Sequence, residues 1–203
     1  MFIQVIQGKT HDADRLHARM DAWRTELEAG ADGWLGGTYG IDDDNEFLGV
    51  VRFDSRESAM RNSARPEQGK WWADTVTCFD GEPTFHDCDD VTLMLDGGSD
   101  DAEFVQVIQG RVSDPEKFRM MRNMPMDTLH AQRPEILGGT IAVDKDGWFT
   151  QTVAFRSEAE AREGEQKEMP EQMREQMADM DQAMSDVSYH DLHHPWFATA
   201  GAR

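Results

Sequence analysis

The eight residues FIQVIQGK at 2–9 return as FVQVIQGR at 104–111. Shifted by 102 positions, the chain matches itself without a gap over residues 1–60, with 20 identities. LGGT at 35–38 falls on LGGT at 137–140, and Phe47, Val51, Phe53 and Ser55 fall on Phe149, Val153, Phe155 and Ser157. Further on the offset becomes 104: Pro66-Glu67-Gln68 meets Pro170-Glu171-Gln172, and Phe85-His86-Asp87 meets Tyr189-His190-Asp191. A repeat of about 95 residues is the size of a small domain and too long for a solenoid. The expected organisation is a first module at 1–95, an acidic Gly-rich linker at 96–102, a second module at 103–197 and a tail at 198–203.

Each module reads β-α-β-β-α-β. Residues 2–8 are apolar, β-branched and closed by Gly8, as in a short strand. Asp12 can cap the helix that follows, and the second copy has Asp114 with Pro115 at the first helical position. Leu16, Met20, Trp23 and Leu27 recur at helical spacing. Strands near 34–42 and 46–54 are joined by Asp43-Asp44-Asn45, where the second copy has a hairpin-forming Asp146-Gly147. Ser157 and Glu160 form a capping box for the second helix, which restarts at Pro66 and Pro170. Last strands are expected near 83–88 and 187–192.

This order predicts an α+β chain, in which each module is a ferredoxin-like antiparallel four-stranded sheet with both helices on one face. Phe47, Val51 and Phe53, which recur unchanged, belong on the helix side. Leu48, Val50 and Arg52 alternate to the other side, where the second copy has Thr150, Thr152 and Ala154. The two bare sheet faces are expected to pack face to face as an intramolecular pseudo-dimeric α+β barrel, a monomer standing in for a dimer, with a further homodimer left open.

Net charge of −20 disfavours a nucleic-acid partner, since clustered cations are needed to displace phosphate counterions. Ordinary solubility and salt adaptation both explain such acidity. No apolar run approaches the length of a bilayer span, and no basic or apolar leader precedes Phe2, so a cytoplasmic protein without a membrane partner is expected. Cys78 and Cys88 are expected to be reduced.

The module length, the element order, the VIQG first strand and the hairpins ending in VVRFDS and TVAFRS resemble the dimeric α+β barrel superfamily, and within it the antibiotic-biosynthesis-monooxygenase type. The resemblance spans nearly the whole chain. It implies a ligand held between sheet and helices or between sheets. It also implies a menu of activities: oxygenation of aromatic polyketides and quinols without a cofactor, haem degradation, or no chemistry.

Several residues are candidates for such a site. A Trp in the second helix often lines the pocket of the resembling oxygenases, which points to Trp71 and Trp72. Trp72 shares a stripe with Val76 and Phe79, whereas Trp71 points about 100° away and suits a pocket better. The second copy has Glu175 and Gln176 there. His86 could act as a base toward a phenol, or it could be a strand histidine bonded to Asp87, as its recurrence at His190 suggests. Arg52 could hold a phenolate, or pair with one of the 40 acidic residues. Gln4 and Gln7 lie on opposite faces of the first strand, so one of them, Gln4, can line a cavity. The haem-degrading relatives carry an amide on that strand, yet here it is Gln rather than Asn, and no His follows the helix Trp suitably. The Met169, Met173, Met177, Met180 and Met184 stripe reads as a core face, and His190, His193 and His194 as a strand end rather than a metal site.

The sequence expectation is therefore a monooxygenase without metal or organic cofactor, acting on a small apolar or aromatic molecule. His86 and Arg52 would be catalytic, and Trp71, Trp72 and Gln4 would bind substrate. The alternatives are a non-catalytic or stress-related binding barrel and, less favoured, a haem protein.

Overall fold

The computed structural model describes residues 1–122, 130–167, 174, 178–179 and 181–200. These fall into two compact units, residues 1–89 with 194–203, and residues 90–193. The chain is α+β throughout. In the first unit β1 (Phe2–Lys9), α1 (Ala13–Glu26), β2 (Trp34–Ile41), β3 (Glu46–Phe53), α2 (Arg56–Ser63), α3 (Pro66–Thr75) and the start of β4 (Thr84–Met94) follow in order. The second repeats the scheme as β5 (Phe104–Val112), α4 (Pro115–Arg122), β6 (Ile136–Asp144), β7 (Trp148–Phe155), α5 (Glu158–Glu165) and β8 (Met184–Leu192). A ninth strand, β9 (Trp196–Thr199), ends the series.

The strand orders repeat as well. The first unit runs β4-β1-β3-β2-β9 and the second β8-β5-β7-β6, all antiparallel. Two tandem ferredoxin-like modules are thus present. The LGGT repeat has a structural reason in the first unit. A bulge between Trp34 and Gly36 puts Gly36 at φ +138°, and a Cβ there would meet Ala198 O at 2.6 Å. Only glycine lets β9 approach so closely. Residues 196–197, expected to finish the second module, and 198–199, expected in a tail, form this strand. It pairs with β2 from Gly36↔Thr199 to Tyr39↔Trp196.

Helix boundaries follow their caps. The Asp12 carboxylate accepts from Arg15 N, and the Ser55 and Ser157 hydroxyls accept from the backbone N–H three residues on. Pro66 sits at the first turn of α3, so the second helix breaks there, as its sequence predicts. Pro170, Glu175, Gln176 and four methionines of the stripe lie outside the described residues.

The core of the first unit joins the helices to one sheet face: Leu16, Met20 and Trp23 of α1 and Trp71 of α3 against Phe2, Ile6, Phe47 and Phe53. In the second unit Phe118, Ile141 and Phe149 form one cluster and Phe104, Ile136, Val153 and Phe155 another. No helix among the described residues is long and apolar enough to cross a membrane. Leu16 has no solvent exposure, so Leu16→Ala should cost about 2–5 kcal/mol in urea unfolding followed by tryptophan fluorescence.

Candidate functional site

Register decides which side chains can meet. Eight unbroken pairs join β1 to β3, from Phe2↔Phe53 to Lys9↔Glu46, with Gln4 opposite Val51. Gln4 also faces Asp87 of β4. Alternation therefore places Phe2, Gln4, Ile6, Val51, Phe53 and Asp87 on the helix side, with Tyr39 of β2 beside them. Ile3, Val5, Val50, Arg52, His86 and Cys88 take the other face.

On the helix side of the first unit lies a partly open cavity of about 70 Å³. That is room for about five water-sized spheres. Trp23, Trp34, Tyr39, Trp71 and Trp196 line it, with Gln4 and Val51 on its floor. Trp23 and Trp34 meet edge to face with centroids 5.0 Å apart, and Tyr39 stacks on Trp196 at 6.1 Å. On the outside, His17 stacks on Trp196 at 4.4 Å, which steadies the last strand against α1.

The polar groups divide into those engaged and those not. Trp23 Nε1 donates to Gln68 Oε1 at 2.6 Å, and Trp71 Nε1 donates to Arg19 O at 2.9 Å. Gln4 Nε2 donates to Asp87 Oδ1 at 2.9 Å, and Asp87 Oδ2 takes Arg56 Nη1 at 3.3 Å. The second unit repeats this network: Gln106 Nε2 donates to Asp191, which pairs with Arg162. Arg162 stands one helical turn beyond Glu158, the position aligned with Arg56, yet each guanidinium lies over the matching ring, Phe2 or Phe104. The Gln–Asp–Arg link is therefore a framework element of both units. In the first it fixes the Gln4 amide, with its NH2 turned to Asp87.

Tyr39 is 6% exposed. Burial pushes its hydroxyl well above the usual phenolic pKa, while the nearby charges of Arg52 and then Arg24 pull it down and Glu28 adds to the rise. The hydroxyl thus stays protonated at neutral pH and sits in the field of two guanidinium groups. The indole N–H groups of Trp34 and Trp196 are buried without an acceptor.

Of the five residues singled out in the sequence, Gln4 and Trp71 meet at this cavity. Trp72 lies outside it, its ring against Phe79 and Phe85 at 6.3 and 5.2 Å. His86 and Arg52 stand on the opposite sheet face, and the charge of Arg52 is felt at Tyr39. Trp34, Tyr39 and Trp196 escaped the sequence reading. A signal existed for the first two: the second copy replaces them with Ile136 and Ile141, so these rings belong to one module alone. Among the described residues no cluster of His, Cys, Asp and Glu is placed to hold a metal ion.

No family model and no curated protein matches the chain. Solved structures do. A candidate monooxygenase from Lactobacillus acidophilus NCFM is 16% identical with a TM-score of 0.72, over 100% of this chain and 97% of that one. An anthrone oxidase-like protein is 12% identical at 0.71, over 99% and 94%. A ferredoxin-fold protein related to antibiotic biosynthesis monooxygenases, from Listeria monocytogenes, is 10% identical at 0.51, over 100% and 96%. At these identities the likeness is one of fold. The chain carries the tandem ferredoxin-like fold of antibiotic-biosynthesis-monooxygenase-like proteins.

The raised Tyr39 pKa has a consequence for stability. Its contribution is complete below the unfolded value near 10 and is lost as pH rises toward the folded value. Urea midpoints should therefore fall above about pH 10, and Tyr39→Phe should remove that part of the decline. In Tyr189→Phe, where Tyr39 is the remaining tyrosine, tyrosinate absorbance should appear only well above that pH.

Proposed function

We propose that the first unit binds a small aromatic molecule, quinol or polyketide-like, and oxygenates it without a metal or organic cofactor. The observation that carries this reading is the partly open cavity walled by aromatic side chains, with the buried Tyr39 hydroxyl near the charges of Arg52 and Arg24. Trp71 and Trp23 sandwich or flank the ring, Tyr39 donates a hydrogen bond to the substrate's oxygen, and the charges of Arg24 and Arg52 favour that oxygen as an anion. The substrate proton leaves at the open side, where Asp21 stands. The electron-rich anion then passes an electron to dioxygen, the substrate radical and superoxide combine to a peroxide between the aromatic walls, and its O–O bond breaks with loss of water to leave one oxygen on the ring as a carbonyl. The likeness in fold to an anthrone oxidase-like protein is consistent with this chemistry.

A second reading has its own support. The base candidate His86 lies across the sheet from the cavity, which favours binding without chemistry. Haem is less favoured, since the first strand carries Gln4 where the haem-degrading relatives carry Asn and no His follows the helix Trp suitably.

Oxygen uptake with a panel of hydroquinones and anthrones separates the two. Turnover is expected, and both Trp71→Ala and Gln4→Leu should lower kcat/KM about tenfold or more. Binding by calorimetry with no uptake across the panel would leave the non-catalytic reading. A Soret shift on adding haem would overturn both.

A further inference from the structure

Gln4 and Asp87 face each other across β1 and β4, and Gln4 Nε2 donates to Asp87 Oδ1 at 2.9 Å. An ionised carboxylate only accepts, so this contact decides which end of the amide faces it: the NH2 turns to Asp87 and the carbonyl oxygen away. Asp87 is itself fixed. Arg56, in the first turn of α2, donates to its Oδ2 at 3.3 Å and to its backbone oxygen at 3.4 Å. The same guanidinium is held by Asp89 at 2.6 Å and lies 4.8 Å over the Phe2 ring. Gln4 lines the cavity, and Asp87 stands behind it. Among the described residues no donor reaches Gln4 Oε1, and that oxygen is not one of the buried atoms shut off from solvent. The cavity floor thus carries an acceptor whose direction is set from behind. The second unit builds the same link with its arginine one helical turn further on, at Arg162. The helix position differs between the copies; the orientation of the amide persists.

From this we infer that Asp87, anchored by Arg56, is a positioning residue: it presents the Gln4 carbonyl oxygen to the cavity, so that the site selects ligands that donate a hydrogen bond there. The inference rests on the cavity being the binding site. Asp87 acts only through Gln4, and the isosteric Asp87→Asn exposes this. Arg56 only donates, so the new amide gives it the carbonyl oxygen and turns its NH2 to Gln4. Gln4 then reverses to accept, and its own NH2 turns toward the cavity. The preference of the site changes while the packing does not.

Indole and benzofuran make the test, because they differ by an N–H in place of an oxygen within the same bicyclic frame. Calorimetry should give indole about fivefold tighter binding to the unaltered protein, the worth of one hydrogen bond. In Asp87→Asn that ratio should fall to about one or below. Asp191→Asn makes the same change in the second unit and should leave the ratio within about twofold of its unaltered value. Comparing the two variants separates positioning from a general loss of stability. Arg56→Met, at a half-exposed side chain, serves as a further variant should Asp87→Asn fail to fold, and the ratio should fall by about twofold or more as Asp87 loses its anchor. Equal affinities in the unaltered protein, an unchanged ratio in the variant that folds, or an equal fall in Asp191→Asn would overturn the inference while leaving the cavity as the binding site. Failure of both probes to bind would overturn the reading of the cavity on which it rests.

Discussion

The unbroken antiparallel register of β1 on β3 decides almost everything about the first unit. Eight consecutive pairs leave no bulge at which a side chain could change faces. A slip of one residue would exchange Gln4, Ile6, Val51 and Phe53 with Ile3, Val5, Val50 and Arg52, and the helices would meet a different surface. With the register as it stands, α1 and α3 close over the first set, and the cavity opens between them and the floor at Gln4 and Val51.

What the second copy lacks is as informative as what it keeps. The shared residues, Phe47 with Phe149, Asp87 with Asp191 and Gln4 with Gln106, hold strands, helices and the Gln–Asp–Arg link in place. The aromatic walls, Trp34 and Tyr39, are aliphatic in the second copy, and Trp196 comes from β9. The frame occurs twice, and in the first copy it is lined with rings. The last strand completes that lining, at a site where Gly36 permits its approach.

Much of this was legible in the sequence. The repeat revealed the modules, the caps at Asp12, Ser55 and Ser157 revealed helix starts, and alternation assigned Phe47, Val51 and Phe53 to the helix side. The 100° turn between Trp71 and Trp72 leaves one ring lining the cavity and the other against Phe79. Two things were hidden. The return of Trp196 to β2 is a pairing across more than 150 residues, for which local propensity carries no signal. Placing His86 and Arg52 in one site with Trp71 and Gln4 overlooked the parity already available: Arg52 is one residue from Val51, and His86 one from Asp87, so each turns away from the face that Gln4 occupies.

The face on which a ligand sits can be read directly from two variants. Val51→Phe thrusts a ring into the cavity floor, and His86→Ala trims the opposite face. Binding of p-cresol, followed by calorimetry, should weaken about tenfold or more in the first through overpacking. The same titration should stay within about twofold of the unaltered protein in the second. The reverse pattern, with Val51→Phe binding normally and His86→Ala impaired, would place the site on the other side of the sheet and contradict the helix-side cavity.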